Sequence, residues 1–147
     1  MAYLRALPWQ ANPGFMLEHE FRDLISEDAA CSLRREGTVE LSRLIVAPPA
    51  GAGRSESAAL AELLFKLVYC LGKRLGWTAY YIVLEEAWLR VLNRRFHLPF
   101  VPLGLPHTYP DGTKTLAASA QCDDLEQAML QTSPNRYQWY QPRTAKE

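Results

Sequence analysis

Disulfide and metal-site patterns are missing from this sequence. Its 147 residues hold three cysteines and three histidines. Cys31, Cys70 and Cys122 are scattered and odd in number, and no CxxC occurs. His19, His97 and His107 do not fall at ligand spacing beside them. This argues for reduced thiols and for no bound metal. An excess of either charge is missing too, since 16 basic residues balance 16 acidic ones. That balance argues against broad nucleic-acid binding and against electrostatic adhesion to membranes. No apolar run approaches a spanning helix, and the opening MAYLRALPW lacks the apolar core of a signal peptide. Internal repeats and low-complexity tracts are absent. A soluble protein in the cytoplasm is the expectation.

What is present suffices for one core. Hydrophobic residues make up 48% of the chain, and the length suits a single domain better than two. AYLRAL at 2–7 predicts a strand ended by Pro8, and WQANPG a turn-rich connector. In MLEHEFRDLI, 16–25, the spacing of Leu17, Phe21 and Leu24 predicts a short helix. A polar stretch leads to VELSRLIV, 39–46, which reads as a strand. APPAGAGRSES is a loop running into a helix start. Residues 57–75 predict the longest helix, with Leu60, Leu63, Leu64, Leu67, Val68 and Leu71 as its apolar stripe and Gly76 as its stop. TAYYIVL, 78–84, predicts a strand, and Glu85 and Glu86 open a second helix. A strand at 99–103, a turn at Tyr109-Pro110-Asp111-Gly112, the returning strand KTLAASA and a short helix over 123–130 complete the series. This order predicts an α/β fold around a mixed sheet, one domain over 1–131. Residues 132–147 show no period and read as a C-terminal tail, in which Tyr137, Trp139 and Tyr140 are the residues able to dock.

The strand VELSRLIV carries a carboxylate, a hydroxyl and a guanidinium in its middle, and such groups are rarely buried unless paired or working. Strict alternation would put Val39, Leu41, Arg43 and Ile45 on one face and Glu40, Ser42, Leu44 and Val46 on the other. Two readings stay open. The strand is a solvated edge, or Glu40 lies in a cleft as a general base oriented by Ser42, with Arg43 in a separate buried charge cluster. Arg5, mid-strand between Tyr3 and Leu7, poses the same question.

ELSRL at 40–44 resembles the E-x-S-R-[FL] signature of the acyl-homoserine lactone synthases. AYLRALPWQANPGFML is similar to that family's strand-turn segment, and Phe21 and Leu24 fit its "ML-x-x-x-F-x-x-L". Leu103 to Pro106 supplies a Leu-Gly-x-Pro in family order. The likeness covers about 2–120. LEEAWLRVLNRRFHLPFVPLG also resembles a sister group, the exosortase-associated acyltransferases and N-acyl amino acid synthases.

The resemblance implies a single-domain GNAT-like mixed sheet flanked by helices. It implies transfer of a fatty acyl group from acyl carrier protein to the amine of S-adenosylmethionine, or to a free amino acid in the sister group. Both molecules are substrates, and no permanently bound cofactor is implied. Glu40 matches the signature carboxylate and becomes the candidate base; Ser42 matches the signature serine and becomes a positioning group. Arg5 and Arg43 match family arginines expected in an electrostatic cluster paired with acidic residues on the acceptor side. Backbone N–H groups of a splayed strand would hold the tetrahedral intermediate. Side chains of the 78–84 strand and the second helix would line an acyl tunnel, or are plain core. The loop before the long helix lacks the coenzyme A signature [QR]-x-x-G-x-[GA], which favours a phosphopantetheine arm, and Arg54 is the candidate contact for its phosphate. Lys66, Lys73, Arg74, Arg90, Arg94 and Arg95 are candidates for docking an acidic carrier, or are ordinary solvated helix faces. Family members carry a further segment before the first strand, so the expectation is an N-terminally incomplete domain, with an inactive remnant that keeps the acyl pocket as the alternative to a working enzyme. The oligomeric state is left open.

Overall fold

A computed structural model describes residues 1–47 and 50–142 of the chain. Pro48 and Pro49 of the predicted loop, and 143–147 of the predicted tail, lie outside the described residues.

The first strand is β1 (Ala2–Pro8). The predicted helix at 16–25 is replaced by two separate 3₁₀ turns, Met16–Glu18 and Arg22–Leu24. Glu18 turns back to accept the Phe15 N–H at 3.1 Å, and His19 leaves helical geometry at φ −123°, ψ −77°, so helical spacing does not propagate. The polar stretch after it contains α1 (Glu27–Cys31), started by Ser26, whose Oγ accepts the Ala29 N–H at 3.2 Å. Then follow β2 (Thr38–Val46), α2 (Arg54–Leu75) and β3 (Ala79–Glu85). α3 (Glu86–Arg90) continues into a π-helical turn, Val91–Arg95. The strand expected at 99–103 shortens to β4 (Val101–Pro102), and β5 (His107–Thr108) leads by a turn into β6 (Lys114–Gln121). α4 (Cys122–Thr132) and α5 (Pro134–Tyr140) end the described chain.

The sheet is six-stranded and runs β1-β2-β3-β6-β4, with β5 also on β6. β2 and β3 are parallel, joined by α2; the other pairs are antiparallel. That crossover is the βαβ unit the strand-helix-strand pattern called for.

α2 corrects the predicted stripe. Its buried face is Ala58, Ala61, Phe65, Tyr69 and Gly72. Leu63, Leu67 and Leu71 are instead 43%, 57% and 43% exposed. Close approach to the sheet explains the choice of small residues: a Cβ on Gly72 would lie 2.1 Å from the Tyr80 hydroxyl. The other sheet face is covered by Phe15, Leu17, Leu24, Ile25 and Leu33, packed on Tyr81 and Ala117. Gly104 holds this cover down, since a Cβ there would meet the Leu24 carbonyl at 2.5 Å, while Ser26 N–H donates to Leu103 O at 2.9 Å.

The aperiodic reading of the tail gives way over α5. Pro134 supplies a fixed φ at its first turn, Arg136 pairs with Glu62 at 2.7 Å, and Tyr140 is 1% exposed.

Candidate active site

β2 and β3 pair from Thr38↔Ala79 to Leu41↔Ile82 and no further. Beyond that point β2 follows β1, while β3 follows β6. The sheet therefore opens as a wedge between Ser42–Val46 and Val83–Glu85, where facing backbone groups do not bond each other.

A bulge re-aims β2 at the wedge. β1 pairs Arg5 with Ser42 but Tyr3 with Ile45, so β2 carries one extra residue. Arg43 absorbs it in the left-handed region at φ 55°. Strict alternation fails there. Leu44 and Val46 turn to the α2 side with Val39 and Leu41, instead of sharing a face with Glu40 and Ser42.

Glu40 is 0% exposed. Its Oε2 accepts the Leu17 N–H at 3.0 Å, and its Oε1 is buried without a partner. Burial pushes the carboxyl above its ordinary range. The Leu17 N–H and the Arg5 charge oppose that rise, and Glu20 and Glu18 reinforce it. Leu17 entered the sequence reading only as an apolar position of a short helix; that its backbone N–H anchors the carboxylate was not foreseen, and only the Met16-Leu17 pair matching the family segment marks the turn that carries it.

Arg5 lies directly across from Ser42, and Leu7 across from Glu40, so all four share a face. Arg5 Nε donates to Ser42 Oγ at 2.9 Å, and Arg5 Nη2 lies 3.2 Å from Met16 Sδ. Ser42 thus holds the guanidinium; no hydrogen bond joins it to Glu40. Three of the expected residues, Arg5, Glu40 and Ser42, are brought together.

Arg43 departs from expectation, being exposed rather than in a buried cluster. Among the described residues neither Arg5 nor Arg43 has an ion-pair partner. Arg54 is exposed at the start of α2. There the Gly53 N–H donates to Glu56 Oε2 at 2.8 Å, so an internal carboxylate already caps that helix end.

On the α2 face lies a narrow apolar cavity of about 20 Å³, lined by Leu41, Phe65, Tyr69, Tyr80, Phe100 and Tyr140 among others. β3 contributes Tyr80 to it, but α3, expected to line a tunnel, contributes nothing. Leu41 and Glu40 are consecutive and face opposite sides of the sheet, so the cavity and the carboxylate flank the start of the wedge. Among the described residues no group of three or more His, Cys, Asp or Glu is placed to hold a metal ion, and no helix is long and apolar enough to cross a membrane.

No protein-family model matches the chain, and no curated protein matches it. Solved structures do. TofI in its apo form aligns at 20% identity and TM-score 0.66, over 92% of this chain and 67% of that one. BjaI, a CoA-dependent acyl-homoserine lactone synthase solved with SAM and isopentyl-CoA, aligns at 22% identity and TM-score 0.64, over 88% and 57%. FeeM, an N-acyl amino acid synthase from uncultured soil microbes, aligns at 15% identity and TM-score 0.60, over 88% and 66%. The chain thus spans 57–67% of the length of these three. At such identities the likeness is one of architecture: the chain has the GNAT-like mixed α/β fold that acyl-homoserine lactone synthases share with an N-acyl amino acid synthase.

Proposed function

We propose that this chain carries the acyl-transfer site of an N-acyltransferase that moves a fatty acyl group from a carrier thioester to the amine of S-adenosylmethionine, giving an acyl-homoserine lactone. One observation carries the reading: a fully buried glutamate with one oxygen anchored by Leu17 and the other unpartnered, set beside an opening in the sheet.

An amine attacks a thioester only as the neutral base. Glu40 Oε1 takes the proton from the attacking nitrogen, and its raised basicity suits it to that task. The C–N bond forms, the C–S bond breaks, and the thiol leaves on the carrier. Unpaired N–H groups along the wedge stabilise the oxyanion. The acyl chain comes from the α2 face, where the cavity of about 20 Å³ has room for little more than a water and must widen to admit it, and the acceptor comes from the Glu40 face. Arg5, held by Ser42, organises the acceptor side by its charge. Arg43, exposed at the bulge, reaches the acceptor from solvent. In the lactone-forming step the acceptor's own carboxylate displaces methylthioadenosine.

The donor is an acyl carrier protein thioester. BjaI is CoA-dependent, but here the Glu56 carboxylate occupies the N–H group at the α2 start, where a coenzyme A pyrophosphate would meet like charge. A single phosphate on a phosphopantetheine arm, met by Arg54, is less opposed. The likeness to FeeM supports a second reading, in which a free amino acid is the acceptor of the same chemistry.

The test is product mass spectrometry with acyl carrier protein or coenzyme A donors, offered with S-adenosylmethionine or amino acids. An acylated lactone that forms from the carrier donor and vanishes in Glu40→Gln supports the proposal. An acylated amino acid selects the second reading. Product that persists undiminished in Glu40→Gln removes Glu40 as the base.

A further inference from the structure

The outer face of α2 carries a ridge away from Glu40 and the wedge; at one end stands Glu56, whose Oε2 accepts the Gly53 N–H. Glu56, Leu63, Leu67 and Arg74 are all exposed. Their spacings are seven, four and seven residues, which at 3.6 residues per turn keeps them on one line along the helix. Leu71 and Ala59, also exposed, flank that line.

The ridge is symmetric about position 65. In an antiparallel pair of α2 helices centred there, Glu56 of one copy lies opposite Arg74 of the other, and Leu63 lies opposite Leu67. Ala59 and Leu71 fall about 60° to either side of this line, so they flank the seam instead of meeting across it. Each contact occurs twice under the two-fold. The charges complement one another in this register and clash in a parallel one. Arg74 forms no ion pair among the described residues. Leu63 and Leu67 are 43% and 57% exposed, more than a lone solvated helix face needs.

We propose that this ridge is a homodimer interface, with α2 packed antiparallel on α2 of a second copy. A single helix pair buries less than the ~800 Å² per partner of a standard interface, so the dimer is weak, with a dissociation constant of order 10 μM. With a formal net charge of zero, the two copies do not repel as wholes.

Sedimentation velocity over a concentration series tests this. Wild type is expected to move from one to two chain masses across the range around ~10 μM. Leu67→Asp should weaken association at least ~30-fold while far-UV circular dichroism stays native, since the residue lies on the outside. Arg74→Glu should weaken it about tenfold, and Glu56→Arg/Arg74→Glu together should restore it. A wild type that stays monomeric at ten times that concentration overturns the proposal. So does a dimer indifferent to Leu67→Asp, or one that the double charge exchange fails to rescue. Polydisperse growth beyond two copies overturns it as well, because a closed two-fold ends at the dimer.

Discussion

Replacing Glu40 with glutamine should separate stability from catalysis. The amide keeps an oxygen for the Leu17 N–H, which now sits 3.0 Å from Oε2, and removes the buried charge. In the wild type a hydrogen bond to a charged group contributes roughly 1.5–3 kcal/mol. Against it stands a desolvation cost of several kcal/mol for an ion without a salt-bridge partner. Burial wins, so the folded carboxyl holds its proton more tightly than the unfolded one does. Stability that comes from holding that proton is complete below about pH 4.3 and is lost as pH rises through the raised folded value. Glutamine does not titrate, so the variant should be the more stable protein at neutral pH, by on the order of 1 kcal/mol, the margin by which the desolvation cost exceeds what a charged hydrogen bond gains over a neutral one. For a chain of this size that is about 2–4 °C in Tm, and the difference should vanish below about pH 4.3. Calorimetric melts from acid to neutral pH measure it, always as variant minus wild type. The subtraction matters because Glu18 and Glu126 have the opposite sign. Burial pushes both up, but the Phe15 N–H and Arg35 hold Glu18 low, and Lys73 and Tyr69 hold Glu126 low. Their stabilisation exists at neutral pH and is lost on acidification. In the same variant, acyl transfer should fall by roughly 10²–10⁴. A Glu40→Gln protein that melts several degrees lower at neutral pH would refute the reasoning, since Glu40 would then be a structural anchor for the 16–18 turn rather than a strained base.

Ser42→Ala frees the Arg5 guanidinium; turnover should drop about tenfold, with a loss of about 1 kcal/mol in urea melts. Gly104→Ala forces a Cβ to within 2.5 Å of the Leu24 carbonyl, which should cost about 2–3 kcal/mol and raise hydrogen exchange across 15–33. Arg43→Gly relieves a left-handed arginine and should stabilise by about 1 kcal/mol; if its guanidinium reaches the acceptor, KM for the acceptor rises in the same variant. Wild-type acyl transfer should increase with pH through the raised Glu40 range, and a flat profile would count against Glu40 as the base.

The grouping of Arg5, Glu40 and Ser42 in the candidate site was more legible than the packing. Glu40 and Ser42 sit two apart on a strand, and alternation alone puts them on one face; Arg5 announced itself as a charge inside an apolar run. Their register across β1 and β2 is a long-range property that spacing does not encode, and so is the Leu17 N–H that completes the glutamate's surroundings. α2 misled because it is apolar on two sides. Period identifies an amphipathic helix, but the buried side was chosen by fit to the sheet, and Ala58, Ala61 and Gly72 fit where leucines do not. α5 was missed because PNRYQWY has no repeating apolar position; a serine followed by proline was its one available sign. The bulge had no sign at all, since glycine is the usual marker of a left-handed residue and an arginine stands there.

That extra residue in β2 works like a shifted reading frame. Before Arg43 the odd-numbered positions point to the α2 core; after it the even-numbered ones do. One strand therefore writes two messages, a polar wall at Glu40 and Ser42 and a greasy one at Leu44 and Val46, without a break in its backbone. What Arg43 supplies is the kink and not the later parity: without it Leu44 would follow Ser42 by plain alternation and still face α2, but the strand would run straight past the wedge. Ironing the bulge out with all its residues kept is what would carry Leu44 and Val46 round to the carboxylate's side and leave the α2 layer short of two side chains.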